Sequence, residues 1–162
     1  MKTKSGSEKL TKNNKKKSWL EKLHDSKDLP KVVKLTAVQR KKWNVKTLAI
    51  PSPMEVNDIM KGVKKGKVIT INEIREIIGE RHGAEAGCPI TTGIFAWIAA
   101  NAAEEERKAG KKKITPYWRT IKSTGELNEK YPGGIEAQKR ALLAEGHEIV
   151  KKGKKLRRGL SS

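Results

Sequence analysis

Chemistry in this chain must come from few residues, and the densest group is Pro116-Tyr117-Trp118-Arg119, flanked by Lys111, Lys112, Lys113 and Lys122. Aromatic faces stack on bases while lysine and arginine neutralise phosphate, so this grouping suits nucleic acid. The same residues would also serve as packing, with Trp118 in a core and Tyr117 at its edge. From composition alone the two readings stand level.

Other candidates are sparse. The three histidines, His24, His82 and His147, lie far apart, without a partner at the three- or four-residue spacing of a metal site. No metal or other cofactor is expected. His82 and His147 each adjoin a glycine near a predicted helix end, the setting of a capping or surface imidazole. The single cysteine, Cys88, allows no intrachain disulfide and points to a reducing, cytoplasmic setting, nucleoid-associated if bacterial. Cys88 precedes a predicted helix, whose dipole would favour thiolate, but a small residue packing the turn is the simpler account. "GVKKGK" and "YPGG" match no phosphate-loop fingerprint. No apolar run is long enough for a membrane span, and none follows the basic N-terminus as a secretory signal would.

The 162 residues carry a formal net charge of +19, from 37 basic and 18 acidic side chains. That field favours a polyanion. The excess is concentrated at the ends: residues 1–17 hold +6 and residues 151–162 another +6, leaving +7 for the body. Both ends are expected to be disordered basic tails, serving either solubility or phosphate contact.

The elements that must position these residues are helical. Ser18 caps a short helix carrying Trp19, Leu20 and Leu23, which Pro30 ends, and "VVKL" follows as an extended stretch. Ser52-Pro53 opens a helix with Val56, Ile59, Met60 and Val63 on one face, closed by Gly66. Thr70 and Glu73 form a capping box ahead of Ile71, Ile74, Ile77 and Ile78, with Gly79 weakening or ending that helix. A small-residue helix runs from Pro89–Thr92 to about Lys108, with Ile94, Trp97 and Ile98 pointing one way and Phe95 beside them. These two helices allow a helix-turn-helix. Residues 111–121 are expected to be extended, with a turn at Gly125. A last helix follows Gly133-Gly134, with Ile135 and Leu142 inward and Gly146 at its close.

The order of these parts resembles the DNA-binding domain of the alkylguanine-DNA alkyltransferases and their relatives, the alkyltransferase-like proteins, over about Pro53 to Ile149. "GKVITINEI" is similar to that family's Gly-Lys-Val-x-Thr-Tyr-x-x-Ile. "TTGIFAWIAAN" lies where the family has Arg-Ala-Val-Gly-x-Ala-Leu-x-x-Asn, and "PYWR" where alkyltransferases have Pro-Cys-His-Arg. "GELNEKYPGGIEAQKRALLAEG" resembles the segment that follows. The resemblance implies a mainly α fold with a small β component, a winged helix-turn-helix-like DNA-binding domain. The divisions are a tail at 1–17, an extension with one short helix at 18–52, the domain at 53–150 and a tail at 151–162.

The resemblance also implies departures. Tyr117 stands for the alkyl-accepting cysteine and Trp118 for its activating histidine, while Glu145 and Asn101 persist as the supporting pair. A phenol without an adjacent base accepts alkyl groups poorly, since tyrosine's pKa is about 10. Catalytic residues are therefore not expected. The arginine that fills the gap behind an extruded base falls at Thr92, and the tyrosine that pushes the base out falls at Ile71. The stretch from Asn101 to Pro116 is longer than usual, with "EEERKAGKKK" inserted. The expected function is non-enzymatic binding of double-stranded DNA, sensing alkylated guanine together with repair proteins, with no small-molecule substrate. Thr91, Thr92, Gly93 and Ala96 would meet the DNA. Tyr117, Trp118 and Arg119 would line a pocket capped by Tyr131, with Asn101 and Glu145 in support. Two alternatives remain: a basic chromatin-like or RNA-associated protein without a base pocket, and an active alkyltransferase using Cys88.

Overall fold

Four helices begin on a hydroxyl residue that accepts a hydrogen bond from the backbone three residues on: Ser18, Thr36, Ser52 and Thr70. At Ser18, Thr36 and Thr70 the third residue, Glu21, Gln39 or Glu73, returns the bond and completes a capping box. These local signals fix the helix starts in the computed structural model, which describes residues 17–152 and 155–158. The elements are α1 (Trp19–His24), β1 (Lys31–Lys34), α2 (Ala37–Trp43), β2 (Thr47–Ile50), α3 (Pro53–Lys61), β3 (Ile69–Thr70), α4 (Ile71–His82), β4 (Ala86–Gly87) and α5 (Pro89–Lys108). There follow a 3₁₀ turn (Tyr117–Arg119), β5 (Thr120–Ile121), α6 (Gly134–Ala144), β6 (Ile149–Lys152) and β7 (Lys155–Arg158). The fold is mainly α with a small β component, as expected.

α5 runs through the centre, packed by α1, α3 and α4. Its inner face is alanine: Ala96, Ala99, Ala100 and Ala103 are all buried, against Val56 and Met60 of α3 and Ile74 and Ile78 of α4. Ile94 and Ile98, expected to point one way, are divided: Ile98 is buried and Ile94 is 46% exposed. Small side chains let three helices crowd one axis, and larger residues are pushed to its rim. α3 ends earlier than expected: Gly62, not Gly66, takes the cap, and Gly66 serves the next turn at φ +87°.

Segment 18–52 carries two helices and two strands, more than the single short helix expected. Its Leu23 and Ala49 belong to the main core. β1 pairs antiparallel with β2, and β2 pairs parallel with β4, so the segment is stitched to the α4–α5 connection. α2 buries no residue, so it shows no apolar stripe, and only its capping box announces it.

Gly79 neither ends nor merely weakens α4, which continues to His82 and is capped by Gly83 at φ +71°. A Cβ at Gly79 would lie 2.7 Å from Ala86 Cα and 2.9 Å from its backbone nitrogen. Glycine is thus required for helix and strand to touch, which sets the angle between α4 and α5. Gly79→Ala is expected to cost about 2 kcal/mol, read as a lower urea midpoint at unchanged m-value. An unchanged midpoint would show that β4 gives way freely.

Within 151–162, where a tail is expected, residues 151–152 and 155–158 belong to strands. β6 pairs antiparallel with β7, with Val150 opposite Arg157 and Lys152 opposite Lys155. Ile149 packs on the cluster of Ile121, Leu127 and Leu142, so the chain leaves the core already extended. Six cations without an acid hide that continuity in the composition. The 1–16 part of the N-terminal tail and residues 159–162 lie outside the described residues.

Candidate functional site

Thr115 is buried and its hydroxyl donates to Asn57 Oδ1 on α3 at 2.8 Å. This pins the chain as it leaves α5. Pro116, at φ −78° and ψ 71°, centres an inverse γ-turn closed by Tyr117 N–H to Thr115 O at 2.8 Å. The stretch expected to be extended therefore turns sharply, and Tyr117–Arg119 complete a 3₁₀ turn. β5 continues from it and pairs parallel with β3, setting Ile69 opposite Thr120. The loop is thereby tied to the capping box of α4.

The turn sends Tyr117 to one carboxylate and both Trp118 and Arg119 to another. Tyr117, 7% exposed, donates its hydroxyl to Glu104 Oε2 of α5 at 2.8 Å. Its ring meets Trp118 edge-on at 5.3 Å and Tyr131 at 5.7 Å. Trp118 donates its indole N–H to Glu145 Oε2 at 3.0 Å. Arg119 forks onto both oxygens of Glu145, at 2.9 and 2.7 Å, and gives a third bond to Val63 O at 2.7 Å. Glu145 at the close of α6 thus holds both residues behind the turn.

A cleft of about 550 Å³ opens on the other side of Tyr117. Asn101 and Glu104 of α5, Trp19 of α1, and Pro132 and Gly133 of the loop before α6 form its walls with Tyr117. Its size falls within the roughly 300–1,000 Å³ typical of small-ligand sites. Burial pushes the Glu104 carboxyl up, but hydrogen bonds from Arg107 and Tyr117 outweigh it and leave Glu104 below its ordinary value. The Tyr117 phenol is pushed well up by burial, then by its bond to Glu104 and that carboxylate's charge. The proton of the pair therefore stays on the phenol.

The expected site residues fall into separate groups. Asn101 and Tyr117 line the cleft, and Asn101 is oriented by a bond from its Nδ2 to Trp97 O at 3.0 Å. Tyr131 does not line it: it is 3% exposed and packed against Tyr117. Trp118, Arg119 and Glu145 are not among the lining residues but brace the wall from behind. Of the four residues expected to meet DNA, Thr92 is fully buried and Ala96 is 1% exposed, so both face the core. Thr91 is half-buried, and a Cβ on Gly93 would meet open space.

No protein-family model and no curated protein matches the chain. Among solved structures, it is similar to Schizosaccharomyces pombe Atl1 bound to damaged DNA containing O6-carboxymethylguanine, at 22% identity and a TM-score of 0.47 over 67% of this chain and 88% of that one. A second S. pombe ATL structure with DNA gives 21% identity and a TM-score of 0.47 over 66% and 86%. Mycobacterium tuberculosis O6-methylguanine methyltransferase gives 22% identity and a TM-score of 0.40 over 57% of this chain and 47% of that one.

Sequence reasoning missed three participants. Glu104 and Arg107 sit in "EEERKAG", which reads as a solvated charge run, yet Glu104 reaches Tyr117. Gln138, 2% exposed, donates to Trp118 O and Thr120 O and accepts from the Asn128 N–H at 2.7 Å. Its signal was available: it falls on the inward row of α6 between Ile135 and Leu142. Cys88 is buried beside Leu35 and Leu48 and does not line the cleft, as the packing account expects. His82 Nε2 lies 2.9 Å from Glu55, at the end of α4. His147 is buried rather than at the surface.

Proposed function

We propose that this chain is a non-enzymatic, duplex-DNA-binding protein of the alkyltransferase-like kind, which lodges an alkylated guanine in the cleft beside Tyr117 and marks it for repair proteins. The observation that carries this reading is the Tyr117–Glu104 hydrogen bond. It holds an un-ionised phenol at the place where the resemblance puts the alkyl-accepting cysteine. A carboxylate held low is too weak a base to ionise a phenol pushed high, so Tyr117 offers a flat wall and no nucleophile. Trp118, where the resemblance puts the activating histidine, offers only an N–H, and Glu145 occupies it. The similarity to an Atl1 bound to damaged DNA agrees with this reading but does not carry it. No helix among the described residues is long and apolar enough to cross a membrane, and the single cysteine suits a cytoplasmic or nucleoid setting.

The test is fluorescence anisotropy on two duplexes, one with O6-alkylguanine and one with guanine, over a salt series. Wild type is expected to prefer the lesion by at least about tenfold, or 1.4 kcal/mol, with the preference persisting as salt rises. Ala137→Phe, at a position of α6 that lines the cleft, should abolish the preference while keeping the helical circular dichroism signal. Equal binding that collapses with salt would instead support a basic nucleic-acid-binding protein without a base pocket, a reading favoured by the basic β6–β7 hairpin.

A further inference from the structure

β1 is the outer strand of its sheet, which runs in the order β1–β2–β4. Among the described residues no strand pairs with its free edge. Two bonds fix which groups that edge presents. Leu35 N–H donates to Lys46 O at 2.9 Å, continuing the register that sets Lys34 opposite Thr47. Ala49 O accepts from Cys88 N–H at 2.8 Å, so Ala49 turns toward β4 and its neighbour Leu48 toward β1. Backbone direction alternates along an antiparallel ladder. Val33 therefore bonds β2, while Val32 and Lys34 aim their N–H and C=O groups outward. Val33 packs on the cluster of Leu35, Leu48 and Cys88, whereas Val32, on the other face, is 45% exposed.

An edge of this kind is a template for a further strand, and charge selects the occupant. Residues 29–54 hold six cations and no acid. Lys31 and Lys34 are exposed at the two ends of β1. Arg40 Nε donates to Leu35 O at 3.2 Å, which sets a third cation at the close of the strand. Lysines on an edge oppose pairing with a second copy of the same strand. The basic ends of the chain, at +6 each, are repelled in the same way. A nucleic acid would answer the cations but has no row of amides to pair with Val32 and Lys34.

We propose that the free edge of β1 receives an extended acidic segment of another protein as an added strand. Its backbone bonds Val32 and Lys34, an apolar side chain covers Val32, and its carboxylates meet Lys31, Lys34 and Arg40. No residue of β1 lines the cleft, so this site stands whether or not the cleft takes a base.

The test uses the full chain and a labelled short peptide alternating glutamate with valine. Anisotropy reads binding, and NMR hydrogen exchange reads the amides of Val32 and Lys34. Wild type should bind the peptide and protect both amides, while a lysine–valine peptide should not bind. The acidic peptide N-methylated on its edge-facing amides should bind at least about tenfold more weakly. Val32→Pro removes an outward N–H and leaves the ladder to β2 intact. It should keep the circular dichroism spectrum and lose binding to the same degree, while Val32→Ile keeps both. Lys31→Glu with Lys34→Glu should weaken binding severalfold. Equal binding of the methylated peptide, or undiminished binding by Val32→Pro, overturns the added strand. So does absence of binding at millimolar peptide. Protection of the same amides by duplex DNA or by self-association, and not by the peptide, gives the edge another occupant and likewise overturns it.

Discussion

Glu145→Ala is expected to destabilise the protein by about 3 kcal/mol, lowering the melting temperature by roughly 10 °C. The Glu145 side chain is 10% exposed and that of Arg119 14%. Removing the carboxylate leaves a nearly buried guanidinium with only the Val63 carbonyl, and an indole N–H with no acceptor. The cost is mainly that of the orphaned charge. Adding Arg119→Met should therefore recover part of the loss, although two residues are then changed. A double variant no more stable than Glu145→Ala would refute this account. The pH dependence has a definite sign. Burial pushes the Glu145 carboxyl up, but hydrogen bonds from Arg119 and Trp118 more than offset it and leave it below its ordinary value. A lowered folded-state value contributes stability that is complete above the ordinary carboxylate range and lost as pH falls below it. The gap between wild type and Glu145→Ala should be widest near neutrality and narrow below about pH 4.

Deleting residues 151–162 should flatten the salt dependence of DNA binding. The segment holds six cations and no acid. The β6–β7 register sets Lys152 opposite Lys155. A two-stranded hairpin is marginal by itself. If each cation neutralises one phosphate, the slope of log affinity against log salt falls by up to about 5. Lesion preference should survive the deletion, because the cleft is built elsewhere. An unchanged slope would show that the hairpin does not touch phosphate.

What the sequence revealed was local. Ser18, Ser52 and Thr70–Glu73 announce helices because a cap is satisfied within four residues. The resemblance singled out Asn101, Tyr117, Trp118, Arg119 and Glu145, and the structure brings Trp118, Arg119 and Glu145 into one network. What it hid was distant or low in contrast. Nothing near Glu104 in sequence signals that it meets Tyr117. An alanine face has little hydrophobic contrast, so the sequence does not reveal that Ile94 and Ile98 part company or that Thr92 and Ala96 belong to the core. The strand at Ile149–Lys152 is obscured because it has no alternation and its two lysines open a run of cations.

Glu105 has a consequence for how the chain is made. Its two oxygens accept the backbone N–H groups of Trp19 and Leu20, at 3.0 and 2.9 Å across more than 80 residues, and the rings of Trp19 and Trp97 meet edge-on at 4.7 Å. α1 leaves the ribosome well before α5, yet its opening turn is completed only by one of the last turns of α5. A six-residue helix has little stability of its own, so it must wait, unfinished, while some eighty residues are added. The wall carrying Trp19 is therefore a late arrival, and the cleft takes shape from its floor of α5 outward.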